Sequence, residues 1–233
     1  MEDRVIAIDG PAGSGKSTAA RRLAQALGFT YLNTGAMYRA VAFVALESGI
    51  DLTDAGKAAQ IGEVARAMQF EYLERGQQQR FIVNRQDRTE ALFTAALTGQ
   101  LKPVVNNPAV RSALVAKMRE AAHAVIVHGA RGVVLEGRDI GTVVFPDAPI
   151  KFYIHADLDA RTKRRAAELE ARGESVDFDG LRKQIQYRDE TDKGREVGAL
   201  KQAADAIDVD TTHLNEEATL QRLVQEVKAH HLS

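Results

Sequence analysis

The chain of 233 residues contains no cysteine, which excludes disulfides, thiolate nucleophiles and cysteine-ligated zinc together. Nothing in it requires an oxidising compartment. It also lacks an excess of charge of either sign. There are 31 Lys and Arg against 32 Asp and Glu, a net charge of -1, so no chain-wide attraction to nucleic acid is expected and any basic site has to be local. Long apolar runs are missing as well; Val41 to Leu46 is one of the longest, far below the roughly 20 residues of a membrane span. Met1-Glu2-Asp3-Arg4 precedes an apolar run too brief for a secretory signal. The expectation is a cytoplasmic protein that works away from membranes. What is present is globular: 45% hydrophobic and 27% charged residues, enough for a sizeable core in about one to two domains.

Short β-branched runs alternate with helical apolar spacing. Arg4-Val-Ile-Ala-Ile-Asp9 predicts a strand, and Lys16 to Leu27 a helix through Ala19, Ala20, Leu23 and Leu27. Gly28 closes that helix, Phe29 to Leu32 reads as a strand, and Thr34 N-caps a helix to about Ser48. From 51 to 107 the character changes. A helical stretch precedes Phe70-Glu-Tyr-Leu and Arg80-Phe-Ile-Val, set around Gly76-Gln-Gln-Gln like a hairpin, so the segment reads as an inserted subdomain. Pro108 opens a helix to about Ala124, and Gly132 to Glu136 and Ile150 to His155 are strands. Charged helices at about 157–172 and 177–193, a strand at Ala206 to Asp210 and a helix from about Glu216 to Ala229 follow. Interleaved strands and helices predict an α/β fold with a mostly parallel sheet, whose ligands bind beyond the carboxyl ends of the strands.

One motif sits at such an end. Gly10-Pro11-Ala12-Gly13-Ser14-Gly15-Lys16-Ser17-Thr18 matches GxxxxGK[ST] directly after a strand and before a helix. In that pattern the glycines let backbone N–H groups converge on phosphate oxygens, Lys16 brings a positive charge to the transferring group, and the Ser17 hydroxyl is a Mg²⁺ ligand. A phosphate loop alone leaves GTPases, ATPases and small-molecule kinases open. No NKxD or TKxD sequence reads guanine, since Thr162-Lys163 is followed by Arg-Arg.

Arginines narrow the choice. Arg39 follows Thr34 and Tyr38 near a strand's carboxyl end, and Glu136-Gly-Arg138-Asp139-Ile-Gly141 puts a glycine-flanked Arg-Asp pair after another. Arg188, Asp192 and Arg195 are spaced i, i+4, i+7, one face of a helix if it persists. Arg161, Arg164 and Arg165 stack similarly, and on spacing alone are a solvated face. Bringing two phosphates together demands fixed cations and exclusion of water. An acceptor phosphate, largely dianionic at neutral pH, attacks without a protein base. So many arginines lean toward a nucleoside monophosphate as acceptor, while the acids present leave a hydroxyl acceptor open.

With GPAGSGKST (10–18), NTGAMYR (33–39), GRDIGTVVFPDA (137–148) and RDETDKGR (188–195), the chain resembles the bacterial cytidylate kinases over nearly its whole length. These are nucleoside-monophosphate kinases that use ATP to phosphorylate CMP and dCMP. The resemblance implies a P-loop NTPase fold with a five-stranded parallel sheet and helices on both faces. It implies one domain comprising a core (1–50, 108–156, 196–233), a monophosphate-binding insert (about 51–107) and a helical lid (about 157–195). It assigns Arg39, Arg138 and Arg195 to phosphates, Arg188 and Asp192 to the pentose, and Arg111 and Asp139 to cytosine, with Thr34 and Tyr38 in the substrate site. Lys16, Arg138 and Arg195 are then the catalytic set. Closure of the lid would bring Arg161, Arg164 or Arg165 onto the transferring group. ATP and Mg²⁺ are the implied cofactors, and a monomer acting on small nucleotides, without nucleic acid or membrane, the implied state. Three positions depart from the family pattern: Glu136 stands for Asp, Thr34 for Ser, and Lys102 for a small hydroxyl residue beside the base.

Overall fold

A computed structural model describes residues 4–75, 78–171 and 173–230. The chain divides into two compact units, one of residues 1–31 and 126–233 and the other of residues 32–125.

The first unit is built on strands. β1 (Val5–Asp9), β2 (Thr30–Asn33), β6 (Val133–Gly137), β7 (Ile150–His155) and β8 (Ile207–Asp210) form a five-stranded parallel sheet in the order β2-β6-β1-β7-β8. All five residues of β1 and the first four of β6 are buried, as expected of central parallel strands covered on both sides. The chain leaves β1 toward one side of the sheet, returns beside it as β6, then crosses to β7 on its other flank. β1 therefore lies where the winding reverses, and the loop after it is where such sheets take ligands. α1 (Lys16–Leu27) and α9 (Glu216–Ala229) lay Ala20, Leu23, Leu223 and Val227 on Ile6, Ile8, Phe152, Ile154 and Val209. α7 (Leu158–Glu170) and α8 (Phe178–Lys193) complete this unit.

The second unit contains α2 (Thr34–Glu47), α3 (Ala58–Ala67), a three-stranded antiparallel sheet of β3 (Phe70–Arg75), β4 (Gln78–Val83) and β5 (Gln86–Asp87), and then α4 (Ala95–Gly99), α5 (Lys102–Val105) and most of α6 (Pro108–Val127). The hairpin expected from Phe70 to Val83 is present, although Gly76 and Gln77 of its turn lie outside the described residues. Its third strand was not expected. Asn84 and Arg85 both take positive φ, 49° and 67°, the combination that turns a two-residue hairpin. Asn84 is common there and Arg85 is not. Phe70, Tyr72, Phe81 and Phe93 form an aromatic cluster with ring centroids 4.9 to 6.1 Å apart. Thr34 is the first residue of α2 and Asn33 occupies the cap position, one residue earlier than the sequence suggested. Among the described residues, no helix is long and apolar enough to cross a membrane.

Candidate active site

Gly10 to Gly15 form the turn between β1 and α1, and Lys16, Ser17 and Thr18 open the helix. Gly13 and Gly15 have φ of 75° and 81°, left-handed values that side-chain-bearing residues adopt only with strain. They turn the chain so that the unsatisfied N–H groups of the first helical turn face the loop. Lys16 is 6% exposed, and its ammonium donates to the Pro11 carbonyl at 3.1 Å. Burial, reinforced by the charge of Arg138, lowers its pKa to about 7. An arriving polyanion would restore the full charge. The Ser17 hydroxyl donates to Glu136 Oε1 at 3.0 Å, and the Tyr31 hydroxyl to the same atom at 3.2 Å. A hydroxyl and a carboxylate thus stand together at the start of α1.

Beyond β6, Arg138 and Asp139 lead into one π-helical turn, Ile140–Val144. The sequence suggested a constrained loop here; a wide turn is the way the chain achieves it. Arg138 Nε donates to Asp192 Oδ2 at 2.7 Å, and another of its nitrogens to the Gly137 carbonyl at 3.1 Å. Arg195 pairs with the other oxygen of Asp192. Burial alone would push the Asp192 carboxyl up, but Arg138 and Arg195 outweigh it and hold the pKa below the usual range. Arg188, one turn earlier on α8, adds its charge to the field at both Asp192 and Lys16. Asp139 is buried. The expected helical face through 188, 192 and 195 is realised in part: α8 ends at Lys193 with Gly194 at its cap, so Arg195 reaches Asp192 from beyond the helix.

Two of the arginines that looked like a solvated face are drawn inward, Arg161 buried and Arg164 half-buried. Arg161, 7% exposed, donates to the carbonyls of Ala156 and Ala12 at 3.0 Å each and pairs with Asp189 at 2.6 Å. Arg164 holds the hydroxyl of Thr211 at 3.1 Å and its carbonyl at 2.5 Å. Only Arg165 fits the solvated reading, paired with Glu168 at 2.8 Å.

In the second unit, Thr34, Tyr38 and Arg39 share α2, and Thr34 and Tyr38 are buried. Arg39 donates to the Leu92 carbonyl at 3.2 Å and to the Thr98 hydroxyl at 2.7 Å, with its guanidinium 5.1 Å from the Phe93 ring centroid. Arg111, buried on α6, donates to the Val105 carbonyl at 3.1 Å and lies 5.5 Å from the Tyr38 ring centroid. Lys102 is exposed at the start of α5. The anticipated residues therefore gather in two sets: the phosphate loop with Arg138, Asp139, Arg188, Asp192 and Arg195 in one unit, and Thr34, Tyr38, Arg39 and Arg111 in the other.

A family model described as cytidylate kinase matches residues 6–229. The chain belongs to the cytidylate kinase family. It is 42% identical over 225 residues to the cytidylate kinase of Exiguobacterium sibiricum, covering 97% of each chain. It is 41% identical over 223 residues to that of Pseudomonas syringae pv. tomato, covering 96% of this chain and 94% of the relative. A solved structure of an uncharacterized protein from Eubacterium ventriosum shares the fold at a TM-score of 0.50 and 14% identity, covering 97% of this chain and 98% of that one.

Sequence reasoning missed some supports of this cytidylate kinase family site. Asp9, buried at the end of β1, receives two backbone amides. Thr98 holds Arg39, and Asp189 holds Arg161. A carboxylate closing an otherwise apolar strand was a legible sign for Asp9. Thr98 and Asp189 gave none, because each is defined by a partner distant in sequence.

Proposed function

We propose that the chain transfers the γ-phosphoryl group of ATP, bound with Mg²⁺, to the phosphate of CMP or dCMP. As a member of the cytidylate kinase family it is a phosphotransferase with a phosphate group as acceptor, and a nucleotide is the donor. The observation that carries the finer reading is the cation cluster beside the phosphate loop, where Arg138 and Arg195 are held on the two oxygens of buried Asp192 within the electrostatic reach of Arg188 and Lys16. Fixed cations in a site shielded from water are what a meeting of two polyanions needs, because they require no reorganisation when charge moves.

In this reading Gly10, Pro11, Ala12, Gly13, Ser14, Gly15, Lys16, Ser17 and Thr18 cradle the donor's phosphates. Arg39, Arg138 and Arg195 bind the phosphates that exchange the phosphoryl group, and Arg188 and Asp192 take the pentose. Thr34 and Tyr38 line the acceptor's place. The cytosine amino group donates to Asp139, while its ring nitrogen and carbonyl accept from Arg111; uracil would turn a carbonyl toward the carboxylate instead. The acceptor's own dianionic phosphate is the nucleophile, so no side chain need remove a proton. Ser17 and Glu136 offer only oxygen donors, the set that suits Mg²⁺; Ser17 would be a ligand and Glu136 would help to hold the ion's hydration shell. When bound, the ion neutralises charge on the donor's β- and γ-phosphates. The insert of about 51–107 would carry the acceptor and the lid of about 157–195 would close over the donor, in a cytoplasmic monomer acting on free nucleotides.

A coupled assay of ADP release across CMP, dCMP, UMP and shikimate tests this. CMP and dCMP are expected to support turnover, and their failure would reject the reading. Asp139→Ala should cut turnover of CMP while leaving ATP binding intact. Equal use of CMP and UMP by the wild type would remove the base-reading role of Asp139.

A further inference from the structure

Asp9 is the last residue of β1, 4% exposed, and stands in register with Gly137 on β6 and Tyr153 on β7. Each carboxylate oxygen takes one backbone amide from the turn after β6: Ile140 donates to Oδ1 at 2.8 Å and Gly141 to Oδ2 at 2.7 Å. Like the opening of any helix, the π-helical turn begins with N–H groups that have no acceptor inside it. Asp9 supplies that acceptor. Glycine at 141 eases the fit, since a Cβ there would sit 3.1 Å from the Lys151 stem, which would have to give by a few tenths of an ångström, and 3.4 Å from Asp9 Oδ2. Lys151 holds the far end of the turn, donating to the Pro146 carbonyl and to Asp205 at 2.7 and 2.9 Å. The backbone between is thus pinned from the end of the strand that enters the phosphate loop.

We propose that Asp9 is a positioning residue for the transfer, fixing the turn that presents Arg138 and Asp139 to the acceptor nucleotide. The inference rests on the function proposed above, because that function gives Arg138 and Asp139 their roles. Asp9 touches neither nucleotide in this scheme; it acts through the amides of Ile140 and Gly141. Burial pushes its pKa up to about 7 against the pull of those two amides. The charged and titratable groups around it are Asp139 and Arg138 from the turn, and Tyr153 and the Lys151 stem from β7.

Steady-state kinetics of the wild type, Asp9→Asn and Asp9→Ala with ATP, CMP and UMP test the role. Asparagine keeps one acceptor and faces the other amide with a donor; alanine keeps none. Asp9→Asn is expected to raise the KM for CMP about tenfold and to narrow the preference for CMP over UMP, while the KM for ATP stays within about twofold. Asp9→Ala should exceed both changes. A purely structural residue would lower stability without separating the two substrates. Wild-type failure to phosphorylate CMP overturns the functional reading, whereas normal wild-type turnover with an Asn variant of unchanged KM for CMP overturns the role of Asp9 alone. Should the variants not fold, the wild type decides by amide hydrogen exchange: the N–H groups of Ile140 and Gly141, held on Asp9, are expected to exchange as slowly as those of central strands, and exchange at the rate of open loop amides overturns the clamp.

Discussion

Arg138, Arg195 and Arg161 in the first unit and Arg39 and Arg111 in the second are held by different means. In the first, Arg138, Arg195 and Arg161 rest on the carboxylates of Asp192 and Asp189. In the second, Arg39 and Arg111 reach carbonyls, the Thr98 hydroxyl and the faces of Phe93 and Tyr38. A carboxylate shared by two guanidiniums fixes both at once, but it couples the site to the stability of the fold, since removing it strands buried charge. A carbonyl, a hydroxyl and a ring steer a guanidinium without carrying an opposite charge, at about 1 kcal/mol per contact. Loss of one such support should weaken binding and leave the fold alone.

Lys16, also in the first unit, is buried on a carbonyl rather than a carboxylate, and it gives the largest expected effect. Lys16→Met keeps the length and removes the charge, so kcat should fall by about 10²–10³-fold with every acceptor. The same variant has a stability signature. The folded lysine loses its proton near pH 7 and the unfolded one near 10.5. Between these values the unfolded state binds more protons, so wild-type stability rises with pH across the interval. Urea denaturation should therefore show Lys16→Met gaining on the wild type at neutral pH, with the gain shrinking toward pH 10.5. A pH-independent difference would mean that the lysine is solvated.

Asp192→Asn comes next and tests the shared carboxylate directly. Breaking a buried ion pair from one side costs about 3–5 kcal/mol, and here Arg138 and Arg195 lose their partner together. Both thermal stability and kcat/KM for CMP are expected to drop. The wild-type Asp192 pKa lies below the ordinary value, so its contribution is present at neutral pH and fades as pH falls through the native pKa; the variant should lack that acid limb. Thermal melts at neutral and acid pH check the sign.

The strand and helix order and the phosphate loop were legible because period-two and period-3.6 apolar patterns and a glycine-rich turn are local signals. β5 was not, because its turn places Arg85 in a left-handed conformation for which arginine is no marker. The π-helical turn was hidden for a related reason: it is stabilised by Asp9, which lies 131 residues away from Ile140. Arg161 shows the limit most plainly. Its spacing with Arg164 and Arg165 describes a surface helix, yet the carbonyl of Ala12 and the carboxylate of Asp189 draw it inside. The arginines recognised by motif were found; the groups that hold them were not, since supports are chosen by three-dimensional proximity.

The smallest predicted effect belongs to Thr98. Its hydroxyl donates to the Thr94 carbonyl at 2.8 Å and accepts from Arg39 at 2.7 Å, so its proton is committed and its lone pair is aimed at the guanidinium. Thr98→Val keeps the shape and removes that acceptor, while Leu92 and Phe93 continue to hold Arg39. A rise of about three- to tenfold in the KM for CMP is expected, corresponding to about 0.7–1.4 kcal/mol, the net worth of one hydrogen bond that positions Arg39 rather than touching the substrate. The KM for ATP and the melting temperature should hardly move. Steady-state kinetics and a thermal melt on the same preparation check both halves. If Thr98→Val destabilised the protein as much as Asp192→Asn, the contrast between a shared carboxylate and a hydroxyl as supports would collapse. If instead it raised the KM for CMP with the melt unchanged, affinity for the acceptor could be tuned in the second unit without cost to the fold, a freedom that the shared carboxylate denies to the first.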